Sequence, residues 1–236
     1  RIFTIFDEGI TGIYRKVPQD CQLIARDAAN GVLLWKVPMQ GWQPELGTST
    51  GNRWQVHHTA ARRLVAKDDR LYVTLGFLNS PVSVINAADG SFVFKELNGT
   101  VGADEIILSD GILLVKSGSL SVQAGKSVWA DPEDNSLVGV DPVNNKQLWR
   151  VDKTRVVAFS LCAQSGKTVF NNGSEFICLE TKTGRELWRA PCRMPKRAQA
   201  GQSVVVISGD TLLYNGQVEV APSAPAAKEA GKKKKK

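Results

Sequence analysis

The side chains that could do chemistry in this chain are few and scattered. The two histidines, His57 and His58, are adjacent, so on any strand they point to opposite faces and are poorly placed to share a metal ion. The four cysteines, Cys21, Cys162, Cys178 and Cys192, contain no Cys-x-x-Cys pair and have no histidine at ligand spacing. That removes zinc ribbons and thioredoxin-like redox chemistry. They read as buried free thiols, with a disulfide as the alternative, and they do not define a redox compartment. Ser165-Gly166-Lys167-Thr168 and Ala124-Gly125-Lys126-Ser127 imitate the end of a phosphate-binding loop. Both have leucine, Leu161 and Leu120, where that loop needs its first glycine, and no long helix follows to aim its N-terminus at a phosphate. Asp104, Glu105, Asp131, Glu133 and Asp134 are carboxylates near loops, and no spacing separates a catalytic one from surface charge. No catalytic residue and no metal ligand is therefore assigned.

Composition sets further limits. The 236 residues are 42% hydrophobic and 22% charged, enough to bury a core and too varied for a disordered polymer. No apolar stretch approaches membrane-spanning length. The formal charge of +7 suggests a polyanion partner, but residues 221–236 hold six lysines and one glutamate, so +5 of it lies there. The remaining +2 is too little to argue a specific nucleic-acid footprint. The Ala/Pro/Lys-rich residues 217–236 read as a disordered linker or tail without interleaved aromatics for base stacking.

What organises the chain is a repeat. Four segments share one frame: a polar anchor, glycine or asparagine four positions later, and an aromatic eight positions later. The sets are Asp27, Gly31 and Trp35; Asn86, Gly90 and Phe94; Asp141, Asn145 and Trp149; Glu180, Gly184 and Trp188. Apolar residues crowd ahead of each anchor, as in a largely buried strand. The glycine or asparagine tolerates positive φ in a turn, and the anchor's side chain can accept from nearby backbone N–H groups. The outgoing strand then carries a ring that a two-stranded ribbon cannot bury, so something else must stack on it.

Further strand runs precede each hairpin: 63–67 with 70–75, 105–108 with 112–116, and 156–161 with 167–170. Asp68-Asp69, Asp110-Gly111 and Ser165-Gly166 punctuate them as turns. Four strands per unit, each unit with a ring awaiting a neighbour, describes the blade of an all-β propeller.

These motifs resemble the pyrroloquinoline-quinone (PQQ)-like propeller repeat. That group includes quinoprotein alcohol dehydrogenases, the propeller lipoprotein of bacterial outer-membrane assembly, and many uncharacterised bacterial proteins. The resemblance covers about residues 1–216 and implies four-stranded antiparallel blades. Counting strands gives about four blades, so an incomplete arc of a larger ring is expected, and Arg1 opening in mid-pattern points to a fragment; a small closed ring is the alternative. A shared fold does not select an activity. The expected function is a noncatalytic binding or interaction scaffold in a larger bacterial, periplasmic or cell-envelope protein. Its partners are then other blades or domains of the same protein and a further protein, without specific nucleic acid and without a transmembrane segment. The alternative is part of a PQQ-dependent dehydrogenase, with PQQ and calcium as cofactors. This chain lacks the adjacent cysteines many such enzymes carry.

Several segments remain for loops. Residues 41–63 hold Trp42, Trp54, the histidines and Arg62-Arg63, and could cover a binding face; the plainer reading is a solvated loop with its tryptophans on the blade rims. The insertion 117–135 could form a partner surface or a solvated excursion. Asn98-Gly99-Thr100 and Asn172-Gly173-Ser174 match glycosylation acceptors but also read as Asn-Gly turns, the reading preferred here.

Overall fold

The computed structural model describes residues 1–9, 20–40, 62–77, 79–118, 135–192 and 204–216. Among them no α-helix occurs, and every sheet is an antiparallel meander. The first sheet has three strands, β1 (Ile2–Asp7), β2 (Cys21–Arg26) and β3 (Leu33–Pro38). The second has four, β4 (Leu64–Lys67), β5 (Arg70–Thr74), β6 (Val82–Asn86) and β7 (Phe92–Phe94). The third comprises β8 (Ala103–Ser109), β9 (Ile112–Ser117), β10 (Asn135–Asp141) and β11 (Lys146–Thr154). The fourth comprises β12 (Cys162–Gln164), β13 (Lys167–Asn171), β14 (Glu175–Glu180) and β15 (Glu186–Pro191). A two-stranded sheet, β16 (Val204–Ser208) and β17 (Thr211–Asn215), follows.

The leading strands β4, β8, β12 and β16 touch their counterparts in neighbouring sheets, β4 with β8, β8 with β12, and β12 with β16. The sheets therefore converge along their first strands and fan apart toward their last, the radial geometry of propeller blades, in an arc that does not close. By this alignment the first sheet matches the last three strands of a blade and the fifth sheet the first two.

The middle strands explain why the sequence shows buried runs rather than clean alternation. In β5, Leu71 and Val73 pack with Leu23, Phe3 and Ile5 of the first sheet, while Tyr72 packs with Ile106 and Leu113 of the third. In β9, Leu113 and Val115 turn back toward the second sheet, and Ile112 and Leu114 forward toward Phe170 and Ile177 of the fourth. Each middle strand thus serves two cores through its period of two, so both faces are apolar. A fully buried aliphatic side chain in such a layer stabilises by about 1.5–3 kcal/mol.

One expected strand is a turn instead. Residues 156–161 are apolar but for Ser160 and mostly buried, yet the chain bends at Ala158-Phe159 and the leading strand begins only at Cys162. Ser160 organises the bend: its Oγ donates to the carbonyl of Val157 at 2.6 Å and accepts from the N–H of Asn171 at 3.0 Å. Apolar content cannot distinguish a strand from a turn buried between sheets when side chains satisfy the turn's backbone.

Candidate functional site

The repeat positions form one structural unit in all four hairpins. At three of them the anchor's N–H donates to the carbonyl five residues on, and the N–H of the glycine donates to the anchor's carbonyl: Asp27 with Val32 and Gly31, Asn86 with Ser91 and Gly90, Glu180 with Arg185 and Gly184. The three glycines have φ of +75°, +77° and +70°, and Asn145 takes the same place at +51°. A one-residue register shift follows in every case, at Ala25/Arg26, Val84/Ile85, Gly139/Val140 and Cys178/Leu179, as a left-handed residue beside a bulge requires. The anchors' side chains brace the loop. Asp27 accepts from the N–H groups of Ala29 and Asn30, and those bonds hold its carboxyl below the usual range. Asp141 is lowered by the side-chain amide of Asn144 and by the backbone N–H groups of Asn144 and Val143.

Two of the four aromatics, Trp35 and Trp149, reach the turn of the next hairpin. The Trp35 indole donates to the carbonyl of Ala87 at 3.2 Å and lies against Gly90, where an added Cβ would sit 2.9 Å from the ring. Trp149, 8% exposed, donates to the carbonyl of Thr181 at 2.9 Å and covers Gly184, where an added Cβ would sit 2.6 Å from the ring. Both acceptors stand one residue after an anchor and both glycines four after. Between the second and third sheets Phe94 packs on the core that holds Val138 and Val140, and Asn145 forms a latch: Asn98 donates its N–H to Asn145 Oδ1 at 2.7 Å and its side-chain amide to the Asn145 carbonyl at 2.9 Å. Trp188 departs from the expected stacking, being 39% exposed; the sheet that follows it has only β16 and β17 among the described residues.

Where the leading strands converge, charged side chains from the second and third sheets meet each other and the backbone that leads into the fourth. The Arg62 guanidinium pairs with Glu105 Oε1, donates to the carbonyl of Leu161 at 2.8 Å and lies 5.0 Å above the Phe159 ring. Glu105 Oε2 accepts from the N–H of Phe159 at 3.3 Å. Beside it Lys116 and Asp104, both buried, pair at 3.6 Å. Arg63, fully buried, lies 4.0 Å above the Phe77 ring and donates to its carbonyl at 2.5 Å. Burial lowers the Arg63 pKa to about 10, against the opposing pull of Asp104. Burial also raises the Glu105 carboxyl, with Lys116 and Arg62 opposing. Asp104 and Glu105 are thus interior ion-pair members rather than surface charge. The signal was present in the sequence: Lys116 follows four apolar residues in β9, and Glu105 is its cross-strand partner, so a charge entering the interior needed an opposite one.

A family model described as outer membrane protein assembly factor BamB matches residues 19–224. The chain belongs to that family. No curated protein matches it. Among solved structures, BamB from Moraxella catarrhalis is similar over 89% of this chain and 60% of its own length, at 15% identity and a TM-score of 0.47. A quinohemoprotein alcohol dehydrogenase from Pseudomonas putida HK5 is similar over 90% and 37%, at 11% identity and 0.44. A europium-containing methanol dehydrogenase is similar over 86% and 43%, at 8% identity and 0.45. The chain therefore spans less than two thirds of each of these proteins.

Ser165-Gly166-Lys167-Thr168 is the β12–β13 hairpin turn. Its Gly166 N–H donates to Asp110 of the third sheet at 2.8 Å, and Lys167 pairs with Asp210 of the fifth at 2.9 Å. It bridges sheets instead of cradling phosphate. Asn172 accepts from Ser174 and Glu175 in a turn. All four cysteines are free thiols, and burial pushes Cys162 up to about 12. Among the described residues no helix is long and apolar enough to cross a membrane, and no three His, Cys, Asp or Glu side chains are placed to share a metal. His57, His58, Trp42, Trp54, Asp131, Glu133, Asp134, Ala124-Gly125-Lys126-Ser127, most of insertion 117–135 and residues 217–236 lie outside the described residues.

Proposed function

We propose that this chain is a noncatalytic propeller segment that presents loops to other proteins, as part of a larger bacterial cell-envelope protein. The observation that carries the reading is how the charged groups at the convergence of the sheets are used. A calcium ion with a quinone needs several oxygen ligands around an open centre. Here Asp104 and Glu105 instead face Lys116 and Arg62, and Arg62 spends its remaining reach on a carbonyl of the fourth sheet. These residues are committed to holding sheets together and do not fit that cofactor. The envelope location and the protein partner rest on membership of a family described as an outer-membrane assembly factor.

Titration with PQQ and calcium, read by cofactor absorbance and alcohol-dependent dye reduction, tests the reading. We expect neither stoichiometric uptake nor turnover. Uptake with turnover would overturn it in favour of a quinoprotein dehydrogenase segment. Photo-crosslinking groups at the exposed turn residues Val32 and Val143 should give discrete adducts with envelope proteins in bacterial cells. Adducts to lipid or nucleic acid alone would count against a protein scaffold.

A further inference from the structure

We propose that Asn98-Gly99 is a self-modification site: the peptide nitrogen of Gly99 converts the Asn98 side-chain amide to a carboxylate and so releases the latch between the second and third sheets. The site does not depend on what the loops bind. Three Asn-Gly pairs lie in turns between described strands, Asn30-Gly31, Asn98-Gly99 and Asn172-Gly173. Their glycines share positive φ, +75°, +78° and +97°, and none carries a side chain to crowd the attacking nitrogen. Local sequence therefore makes the three alike. Their hydrogen bonds do not. The Gly31 N–H donates to the Asp27 carbonyl at 3.0 Å and the Gly173 N–H to Asn171 Oδ1, so attack through either nitrogen must first give up that bond. The Gly99 N–H meets no acceptor among the described residues; its turn is closed by Thr100, whose N–H and Oγ donate to the Leu97 carbonyl at 3.4 and 2.7 Å.

The reacting side chain is also the least held of the three. Asn30 Oδ1 accepts from the N–H of Val32, and Asn172 Oδ1 from those of Ser174 and Glu175, which fixes each carbonyl against its own backbone. Asn98 is exposed, and among the described residues its side chain makes one bond, from its amide to the Asn145 carbonyl at 2.9 Å. The step itself needs only water, because the nucleophile is tethered next to its target. The Gly99 nitrogen adds to Asn98 Cγ, the Cγ–Nδ2 bond breaks, and ammonia leaves with the proton that the nitrogen gives up. Water then opens the cyclic imide at either carbonyl, giving aspartate or isoaspartate.

Either product undoes the latch. An ionised carboxylate only accepts, so it would face the Asn145 carbonyl, another acceptor, where the Asn98 amide now donates. Isoaspartate also lengthens the main chain by a methylene and draws the residue's N–H away from Asn145 Oδ1, now at 2.7 Å. The rest of the clasp holds the same loop: Asn145 donates its side-chain amide to the Glu96 carbonyl at 3.3 Å, Arg150 reaches the Gly99 carbonyl at 3.5 Å, and the Gln147 side chain fills the space a Cβ on Gly99 would take. All these bonds are made by exposed groups, whereas Leu113, Val115, Val138 and Val140 between the same sheets are fully buried. The rim therefore loosens while the core beneath it stays packed.

The full chain is held at mildly alkaline pH, native and in urea, and digested for mass spectrometry that separates amide, aspartate and isoaspartate at each position. In the native chain we expect Asn98 to convert about five- to tenfold faster than Asn30 or Asn172, the factor set by one hydrogen bond that must first be broken. In urea the three rates should converge. Hydrogen exchange on the variant Asn98→Asp should quicken at residues 96–100 and 145–147 and stay unchanged in β9 and β10. Equal native rates, a lead for Asn98 that persists in urea, or native Asn98 left intact over the time in which the urea sample converts would each overturn the site. Unchanged exchange in Asn98→Asp would overturn the release of the latch.

Discussion

Substituting the turn glycines tests whether the stacked rings set the spacing between sheets. Gly31 and Gly184 occupy equivalent turn positions, with φ of +75° and +70°, so alanine at either meets the same backbone penalty, about 1–2 kcal/mol. Their surroundings differ. A Cβ at Gly31 meets nothing within 4 Å, whereas at Gly184 it would lie 2.6 Å from the Trp149 ring. That ring is held by its bond to Thr181 and buried in the core between third and fourth sheets, so relief requires moving a packed element, costing a further 1–3 kcal/mol or so. Gly31→Ala should therefore destabilise by about 1–2 kcal/mol and Gly184→Ala by about 2–5 kcal/mol, read from urea unfolding followed by tryptophan fluorescence. Removing the ring isolates the cause: in a Trp149→Ala background, Gly184→Ala should fall back to about 1–2 kcal/mol. Equal costs for the two glycines, or an unchanged cost at Gly184 once Trp149 is gone, would refute the claim that the turn and ring are in obligate contact.

Three other outcomes follow from the same geometry. Trp149→Ala should cost about 3–5 kcal/mol, while Trp188→Ala, at a half-exposed site, should cost about 1 kcal/mol or less; equal losses in thermal melts would contradict the difference in burial. Burial raises the Glu105 carboxyl, so the folded chain holds that proton more tightly than the unfolded chain. Its contribution is fully present below the unfolded carboxylate range and lost as pH rises through the folded value. The stability of the wild type relative to Glu105→Gln should accordingly fall as pH climbs from about 4.5, and a rise would show that pairing with Arg62 outweighs desolvation. Cys162, with its thiol near 12, should react with iodoacetamide at pH 8 at least a hundredfold slower than an unperturbed cysteine, and mass spectrometry finding it alkylated at the ordinary rate would exclude that environment.

The hairpins were legible in the sequence because their constraints are local. An anchor, a residue tolerant of positive φ and an aromatic lie within nine positions, and each is needed for its own backbone or size reason. The blade count was legible because turns such as Asp110-Gly111 fall between short apolar runs. The first strand of the fourth blade was not, because Val156, Val157, Ala158 and Leu161 are apolar for a different purpose. They fill the space around a turn whose backbone is satisfied by Ser160, and by Arg62 and Glu105 from two other sheets. Those partners lie about 100 and 50 positions away, beyond the reach of any local pattern. Asp104 and Glu105 read as ordinary loop carboxylates only while Lys116, which follows four apolar residues across the β8–β9 hairpin, is left out of account.

The buried charges also bear on why the arc is built as it is. Sheets that fan outward have their broadest apolar contact between middle strands, where Leu71, Leu114 and Phe170 sit. At the convergence β4 and β12 are short, with four and three residues, so little apolar area remains on them to set the spacing. Dispersion and burial are also non-directional and would tolerate small rotations of one sheet against another. The Arg62 guanidinium supplies direction, because its planar fork reaches a carboxylate on β8 and a carbonyl ahead of β12 from a residue ahead of β4. Replacing such a network by aliphatics of equal volume is often neutral in stability. Its contribution here is therefore to the angle between blades. A Glu105→Gln variant, able to keep the Phe159 bond but not the charge pair, should loosen hydrogen-exchange protection across β4, β8 and β12 together. Loosening confined to β8 would show that the cluster serves one sheet only.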